Sequence, residues 1–163
     1  MVGENAGLRP FVASDIDWLV DAHAQLYARD EGFDQSFGVL VREILEEFVA
    51  KQEIDVEAGW VAQAKGVPLG SIFCVRSDVP DVAKLRLFLL LPTARGTGLG
   101  RRMLETCMRF ARDRGYHGMQ LWTHESHRAA CALYAANGWS LTRSEPVHSF
   151  GVDLVEQTWE ITF

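Results

Sequence analysis

Cysteine is scarce in this chain: Cys74, Cys107 and Cys131 are the only ones, odd in number and without the close spacing of a metal site. That argues against a disulfide framework and a cysteine-held metal. No metal is expected, and the thiols read as reduced side chains of a cytoplasmic protein. Long apolar runs are missing too. None approaches the roughly 20 residues a membrane helix needs, so no membrane partner is expected. The start of the sequence lacks a basic stretch followed by an apolar core, and no secretory signal is expected. Positive charge is also short: 16 Lys and Arg face 22 Asp and Glu, a net −6, against a nucleic-acid partner gripped by a basic surface. Repeats, low-complexity tracts and linkers are absent. There remain 163 residues, 48% hydrophobic and 23% charged, ordinary for a single domain spanning 1–163 with a substantial core.

The arginines that are present gather between Arg95 and Arg114, a local positive region on an acidic chain that suits a small polyanion. At its head stands Leu91-Pro92-Thr93-Ala94-Arg95-Gly96-Thr97-Gly98-Leu99-Gly100-Arg101-Arg102. A mostly apolar run ends at the proline, glycines alternate, and an amphipathic helix opens at once. Alternating glycines let successive N–H groups turn to one point, and a helix start adds unpaired amides and a positive dipole end. The arrangement suits a phosphate or diphosphate. A Walker loop would need Lys and then Ser or Thr after Gly100, where Arg101 and Arg102 stand. The dinucleotide fingerprint would need glycine at 101 or 103, which are Arg101 and Met103. The plain alternative is a glycine-rich turn that opens a helix and binds nothing.

Hydrophobic period gives the elements. Leu8–Val12 reads as an edge strand, and Ser14 as the cap of a helix bearing Ile16, Leu19, Val20, His23 and Tyr27. After Gly32, a second helix carries Phe37, Leu40, Val41, Ile44, Leu45 and Phe48 on one side. Trp60–Ala64 and Leu69–Arg76 read as a hairpin, followed by a long strand from Val82 to Leu91. Leu99, Met103, Cys107, Phe110 and Ala111 stripe the next helix, which stops at Gly115. Gly118–Thr123 is a central strand and His127–Asn137 a short helix. Trp139–Arg143 and Glu156–Phe163 read as final strands joined by a loop with His148, Ser149 and Phe150. The order predicts an α/β (α+β) fold: a mixed, mostly antiparallel sheet of about seven strands with helices on both faces.

The segment Arg95-Gly96-Thr97-Gly98-Leu99-Gly100 after a strand ending in proline, together with this element order, resembles the GCN5-related N-acetyltransferase (GNAT) superfamily from about Leu8 onward. The segments His148-Ser149-Phe150-Gly151 and Gln157-Thr158-Trp159-Glu160 look like the acetyltransferase half of bacterial proteins in which a MarR-type regulator precedes such a domain. The resemblance implies acetyl-CoA as co-substrate, its diphosphate on the amides from Arg95 to Gly100 with Arg101 and Arg102 behind. It implies direct attack by an acceptor amine with both substrates bound. Leu90 and Leu91 match the strand end whose backbone pairs with the pantetheine arm. His127 stands where many relatives have an asparagine that contacts this arm. Tyr134, in Tyr134-Ala135-Ala136-Asn137-Gly138-Trp139, matches the family's general acid; on helical spacing alone it reads as a core tyrosine beside Ala130 and Leu133.

The acceptor side is less determined. Strand alternation puts Lys84, Arg86, Phe88 and Leu90 on one face, so Lys84 and Arg86 would bind an acceptor carboxylate or phosphate unless they pair with acids of a neighbouring helix. Tyr27 is expected to shape the acceptor site. The stretch Lys84-Leu85-Arg86 has no carboxylate to serve as base, which leaves a water chain, His148, Asp34 or Glu125. The implied function is an N-acetyltransferase of a small amine, an amino acid or another carboxylate-bearing amine among them, with a homodimer paired through the C-terminal strand as its assembly. The alternative is a non-catalytic acyl-CoA-binding sensor or interaction domain.

Overall fold

Helical apolar spacing after the first short strand produces two antiparallel helices. The structure, a computed structural model, describes residues 5–163; Met1–Glu4, at the head of the stretch read for a signal, lie outside them. Strand β1 (Gly7–Pro10) leads through a 3-10 turn at Ala13–Asp15 into α1 (Ile16–Glu31). Ser14 is not the cap its position suggests. Asp15 stands at the head of α1 instead, and its carboxylate turns back to accept from the Val12 N–H at 2.9 Å and the Arg9 guanidinium at 2.8 Å. Gly32, left-handed at φ 73°, ends α1. The Asp34 carboxylate then accepts from the Ser36 N–H at 2.9 Å and starts α2 (Gln35–Lys51).

The period-two stretch folds as β2 (Ala58–Ala64), β3 (Val67–Arg76) and β4 (Val82–Leu90). Then come α3 (Leu99–Asp113), β5 (Gly118–His124), α4 (Arg128–Ala136), β6 (Ser140–Ser149) and β7 (Val152–Thr162). The sheet has seven strands in the order β1-β2-β3-β4-β5-β7-β6, antiparallel except for β4 and β5. A parallel pair needs a crossover, and α3 is that crossover. Helices cover both faces, as the element order predicts.

Two segments differ from the sequence reading. The stretch read as a loop around His148 is a long hairpin, with Ser149 paired to Val152 at its tip and Ser140 to Glu160 at its base. Strand β6 is an exposed edge, so it carries no apolar alternation to betray it. The last strand is therefore not the free one: β7 lies between β5 and β6, and the unpaired edge belongs to β6.

The sheet divides the core in two. Leu99, Met103, Leu104 and Cys107 of α3 fill one face with Ile72, Leu85 and Leu121, while Leu19, Val41, Leu45 and Phe48 of α1 and α2 fill the other with Phe73 and Val75. His23 is buried in the second layer, and its Nδ1–H must donate to the Leu19 carbonyl at 2.7 Å, which only accepts. Nε2 is left without a partner. Burial therefore lowers the pKa of His23 from 6.5 to about 4. The folded form keeps His23 neutral while the unfolded chain charges it. Stability from this residue is full above pH 6.5 and lost as pH falls from there toward about 4. At ~1.4 kcal/mol per pH unit the difference amounts to about 3 kcal/mol. Urea unfolding across this window is expected to show a slope that His23→Leu removes; equal slopes in both proteins would refute it.

Candidate functional site

The site begins with a mismatch between β3 and β4. Ser71 pairs with Leu89 but Phe73 with Arg86, so Ile72 alone faces the two residues Leu87 and Phe88. This is a β-bulge, fastened by the Ser71 hydroxyl donating to the Leu87 carbonyl at 2.7 Å. Leu87 sits at φ 52°, a left-handed conformation costing roughly 1–2 kcal/mol in an L-residue. Strain of that kind, held by its surroundings, marks functional sites. An extra residue also swaps the faces beyond it. Phe88 and Leu90 join the α3 side, whereas Arg86 lines a cavity with Phe48 and Phe73 on the α2 side. The expected single face of Lys84, Arg86, Phe88 and Leu90 is thus divided.

Past the bulge the sheet opens. Strands β4 and β5 pair at Val82–Gly118, Ala83–Met119 and Lys84–Gln120 and then part. Beyond, β4 stays paired to β3 as far as Leu90, and β5 to β7 as far as His124. Their facing edges line a slot of unpaired backbone groups, suited to a ligand arm that carries amides.

The glycine loop lies at the end of β4. Leu91 donates its N–H to Leu69 at 2.8 Å, a 3-10 turn spans Pro92–Ala94, and Gly96 and Gly98 follow at φ 74° and 82°. The Thr97 hydroxyl folds the loop on itself, donating to the Ala94 carbonyl at 2.7 Å and accepting from the Leu99 N–H. The N–H groups of Gly96, Thr97, Gly98, Gly100 and Arg101 have no acceptor among the described residues. Beyond the adjoining residues, nothing lies within 4 Å of where a Cβ would stand on Gly96 or Gly98, so the concavity is open. Leu99 is fully buried and anchors α3 from below. An open nest of amides at a helix start is what a diphosphate requires. Of the arginines, Arg95 reaches back to the Leu90 carbonyl at 3.3 Å, Arg101 pairs with Glu105 at 2.9 Å, and Arg102 donates to the Ala6 carbonyl at 2.9 Å.

Tyr134 of α4 has a buried ring among Phe88, Trp139 and Trp159, at 6.3, 5.7 and 6.1 Å between centroids. Its hydroxyl has no hydrogen-bond partner among the described residues. Burial, reinforced by Tyr27, pushes its pKa well above the ordinary phenol value, so it stays protonated. His127 precedes α4, its ring stacked on Tyr27 at 5.0 Å and its Nδ1 3.2 Å from the Thr123 hydroxyl. Its Nε2 lies 3.4 Å from the Glu31 carboxylate. Burial lowers the His127 pKa, and Glu31 opposes this. Tyr27 itself is pushed up to about 12, chiefly by burial.

Comparison with known proteins bears on this arrangement directly. The sequence model of the Acetyltransferase (GNAT) family matches residues 20–139. The chain belongs to that family. It is similar to human N-acetyltransferase 8B, 29% identical over 93 residues, and to rat N-acetyltransferase 8, 33% identical over 87. These matches take in 55% and 51% of this chain but 41% and 39% of those proteins, so the chain aligns with less than half their length. Among solved structures, yncA from Salmonella typhimurium, determined with its cofactor acetyl-CoA, superposes with a TM-score of 0.78 at 18% identity. That match covers 97% of this chain and 94% of yncA, and its likeness is one of fold.

Within this GNAT fold the remaining candidates separate. Lys84 stacks over Trp122, its ammonium 3.9 Å from the ring centre, and has no ion pair among the described residues. Arg86 is half-buried at the wall of a cavity of about 340 Å³ with Ile44, Glu47, Phe48, Phe73 and Leu87. Its neighbouring acids have other partners: Glu53 meets Arg76, Glu57 accepts from the Arg76 N–H, and Glu47 lies 3.5 Å from Lys51. Arg86 has no hydrogen bond or ion pair among the described residues. His148 is exposed near the hairpin tip, 2.8 Å from Asp153, and Asp34 is occupied as the α2 cap. Sequence reasoning missed the bulge at Leu87, the exposed Trp122, and His124 at the open end of β5. Only a break in alternation could have announced the bulge, and Leu87–Leu91 is uniformly apolar.

Proposed function

We propose that the chain is a single acetyltransferase domain that moves the acetyl group of acetyl-CoA to the amine of a small, carboxylate-bearing molecule. The observation that carries this is the open nest of free amides from Gly96 to Arg101 at the foot of the β4–β5 slot, with the unpartnered Tyr134 hydroxyl beside it. Acetyl-CoA when bound supplies the thioester. The loop amides hold the diphosphate, the edges of Leu90 and β5 receive the pantetheine arm, and Tyr134 gives its proton to the departing sulfur. Thiol release with a panel of α-amino acids and their amides, beside calorimetry with CoA, tests the reading; no heat from CoA on folded protein would refute it.

Arg86 is the basis for the acceptor class. An unpaired guanidinium in a half-closed cavity is suited to a carboxylate. In Arg86→Ala, kcat/KM for a free amino acid is expected to fall roughly ten- to a hundredfold, the range of one charge-assisted contact, while that for its amide stays level. Equal losses for both would refute the assignment.

The competing reading, an acyl-CoA sensor with little turnover, draws on the lack of a carboxylate on β4 beside the slot and on Tyr27 stacking with His127 there. Tight acetyl-CoA binding without turnover on any amine would favour it. Three free thiols accord with a cytoplasmic setting, and no helix among the described residues is long and apolar enough to cross a membrane. A homodimer would pair through the free β6 edge. Kinship with MarR-fused relatives rests on the wording of the β6–β7 hairpin.

A further inference from the structure

Resting on the transferase reading, we propose that His124 is the general base, taking the proton from the acceptor amine through Nε2 at the open end of β5. Along this strand Met119 and Leu121 are buried on the α3 side, so Gln120, Trp122 and His124 face the α1–α2 side, where Arg86 also lies. His124 is the last residue of β5, beyond the point where β4 parts from it. Trp122, two residues earlier on the same face, is 56% exposed, so this face is open to an incoming amine.

The ring is fixed yet unsatisfied. Its backbone is held by pairing with Glu156 of β7, and its carbonyl accepts from the His127 N–H at 2.9 Å. Phe33 meets the imidazole edge-on at 5.6 Å and His127 at 5.3 Å. Nδ1 is buried with no partner, and no hydrogen bond engages Nε2 among the described residues. With Nδ1 sealed in the protein, Nε2 is the ring nitrogen left to meet an incoming amine. Asp34 and His148 are each engaged elsewhere, Asp34 Oδ1 as the α2 cap on the Ser36 N–H and His148 Nδ1 against Asp153 near the hairpin tip.

Charge around the ring comes from three elements: Glu31 of α1, Glu156 of β7 and His127 before α4. Both acids would raise the His124 pKa, but burial outweighs them and holds it below 6.5. The ring is therefore neutral near pH 7 and free to accept a proton. An amine that has begun to bond a carbonyl carbon is far more acidic than a free ammonium, so an imidazole suffices. As the nitrogen lone pair forms the new C–N bond, its proton passes to His124 Nε2. As the C–S bond breaks, Tyr134 protonates the sulfur. The proton on His124 then returns through solvent to the Tyr134 oxygen, which leaves both groups as they began.

The test uses acetyl-CoA with the α-amino acids and amides above as probes. In His124→Asn, kcat near neutral pH is expected to fall roughly tenfold or more, with the calorimetric Kd for acetyl-CoA within about twofold of wild type. Wild-type kcat should decline with one-proton steepness below about pH 6.5, and the variant should lack that decline. In His124→Ala, added imidazole should restore turnover, which a merely structural role would not allow. A His124→Asn protein with wild-type kcat and the same acid decline would overturn the proposal, as would a folded, inactive His124→Ala that imidazole leaves unchanged. Wild type that binds acetyl-CoA yet acetylates no amine would overturn the transferase reading and this one together, a distinguishable result.

Discussion

Tyr134→Phe is expected to lose about 10²–10³-fold in kcat while it folds and binds acetyl-CoA as the wild type does. The case depends on how the two halves of this side chain are used. The ring packs among Phe88, Trp139 and Trp159, and phenylalanine reproduces all of those contacts. The hydroxyl hydrogen-bonds to nothing among the described residues, so its removal orphans no buried partner. Thermal stability should stay level or rise slightly. Turnover is different, because the departing sulfur would leave as a bare thiolate in a slot that disfavours charge. The same burial that keeps the phenol protonated makes an unprotonated leaving group costly. Stopped thiol-release kinetics beside calorimetry separate the two effects. A variant with undiminished kcat would return Tyr134 to the role of core residue.

Most of the architecture was legible because burial imposed a period on the sequence. The α2 stripe, the α3 stripe and the glycine stops follow directly from it, and α3 as a crossover required β4 and β5 to be parallel. What escaped notice lies where burial imposes no pattern. Strand β6 is an edge with both faces largely in solvent, so its stretch from Ser144 to Ser149 read as loop. The bulge is hidden for the opposite reason: around Leu87 both faces are apolar, and a one-residue slip leaves no mark in a run of leucines. That single insertion moved Arg86 away from the Phe88 and Leu90 face. It thereby divided what read as one continuous cleft into the β4–β5 slot and a separate cavity beside Arg86. Ser14 failed for a local reason: it lies inside a 3-10 turn that Asp15 closes by accepting from the Val12 N–H and Arg9.

Gly98→Val is expected to weaken CoA binding by about 100-fold while binding of acetyl-pantetheine, which lacks the diphosphate, stays unchanged. Two physical effects combine at this residue. A β-branched side chain at φ 82° is strained, which shifts the backbone that aims the neighbouring amides. The new methyl groups would also occupy the open concavity itself, where nothing beyond the adjoining residues lies within 4 Å of the Cβ position. Since that space is open rather than packed, damage to the core should be small, and Leu99 still anchors α3 from its buried position. Hydrogen bonds to a charged group contribute roughly 1.5–3 kcal/mol each, so losing one or two accounts for a change of about two orders of magnitude in Kd. Comparing the two ligands isolates the diphosphate from the arm. Equal weakening of both would mean that the substitution had disturbed the β4–β5 slot as a whole, and the loop would lose its assignment as the diphosphate cradle.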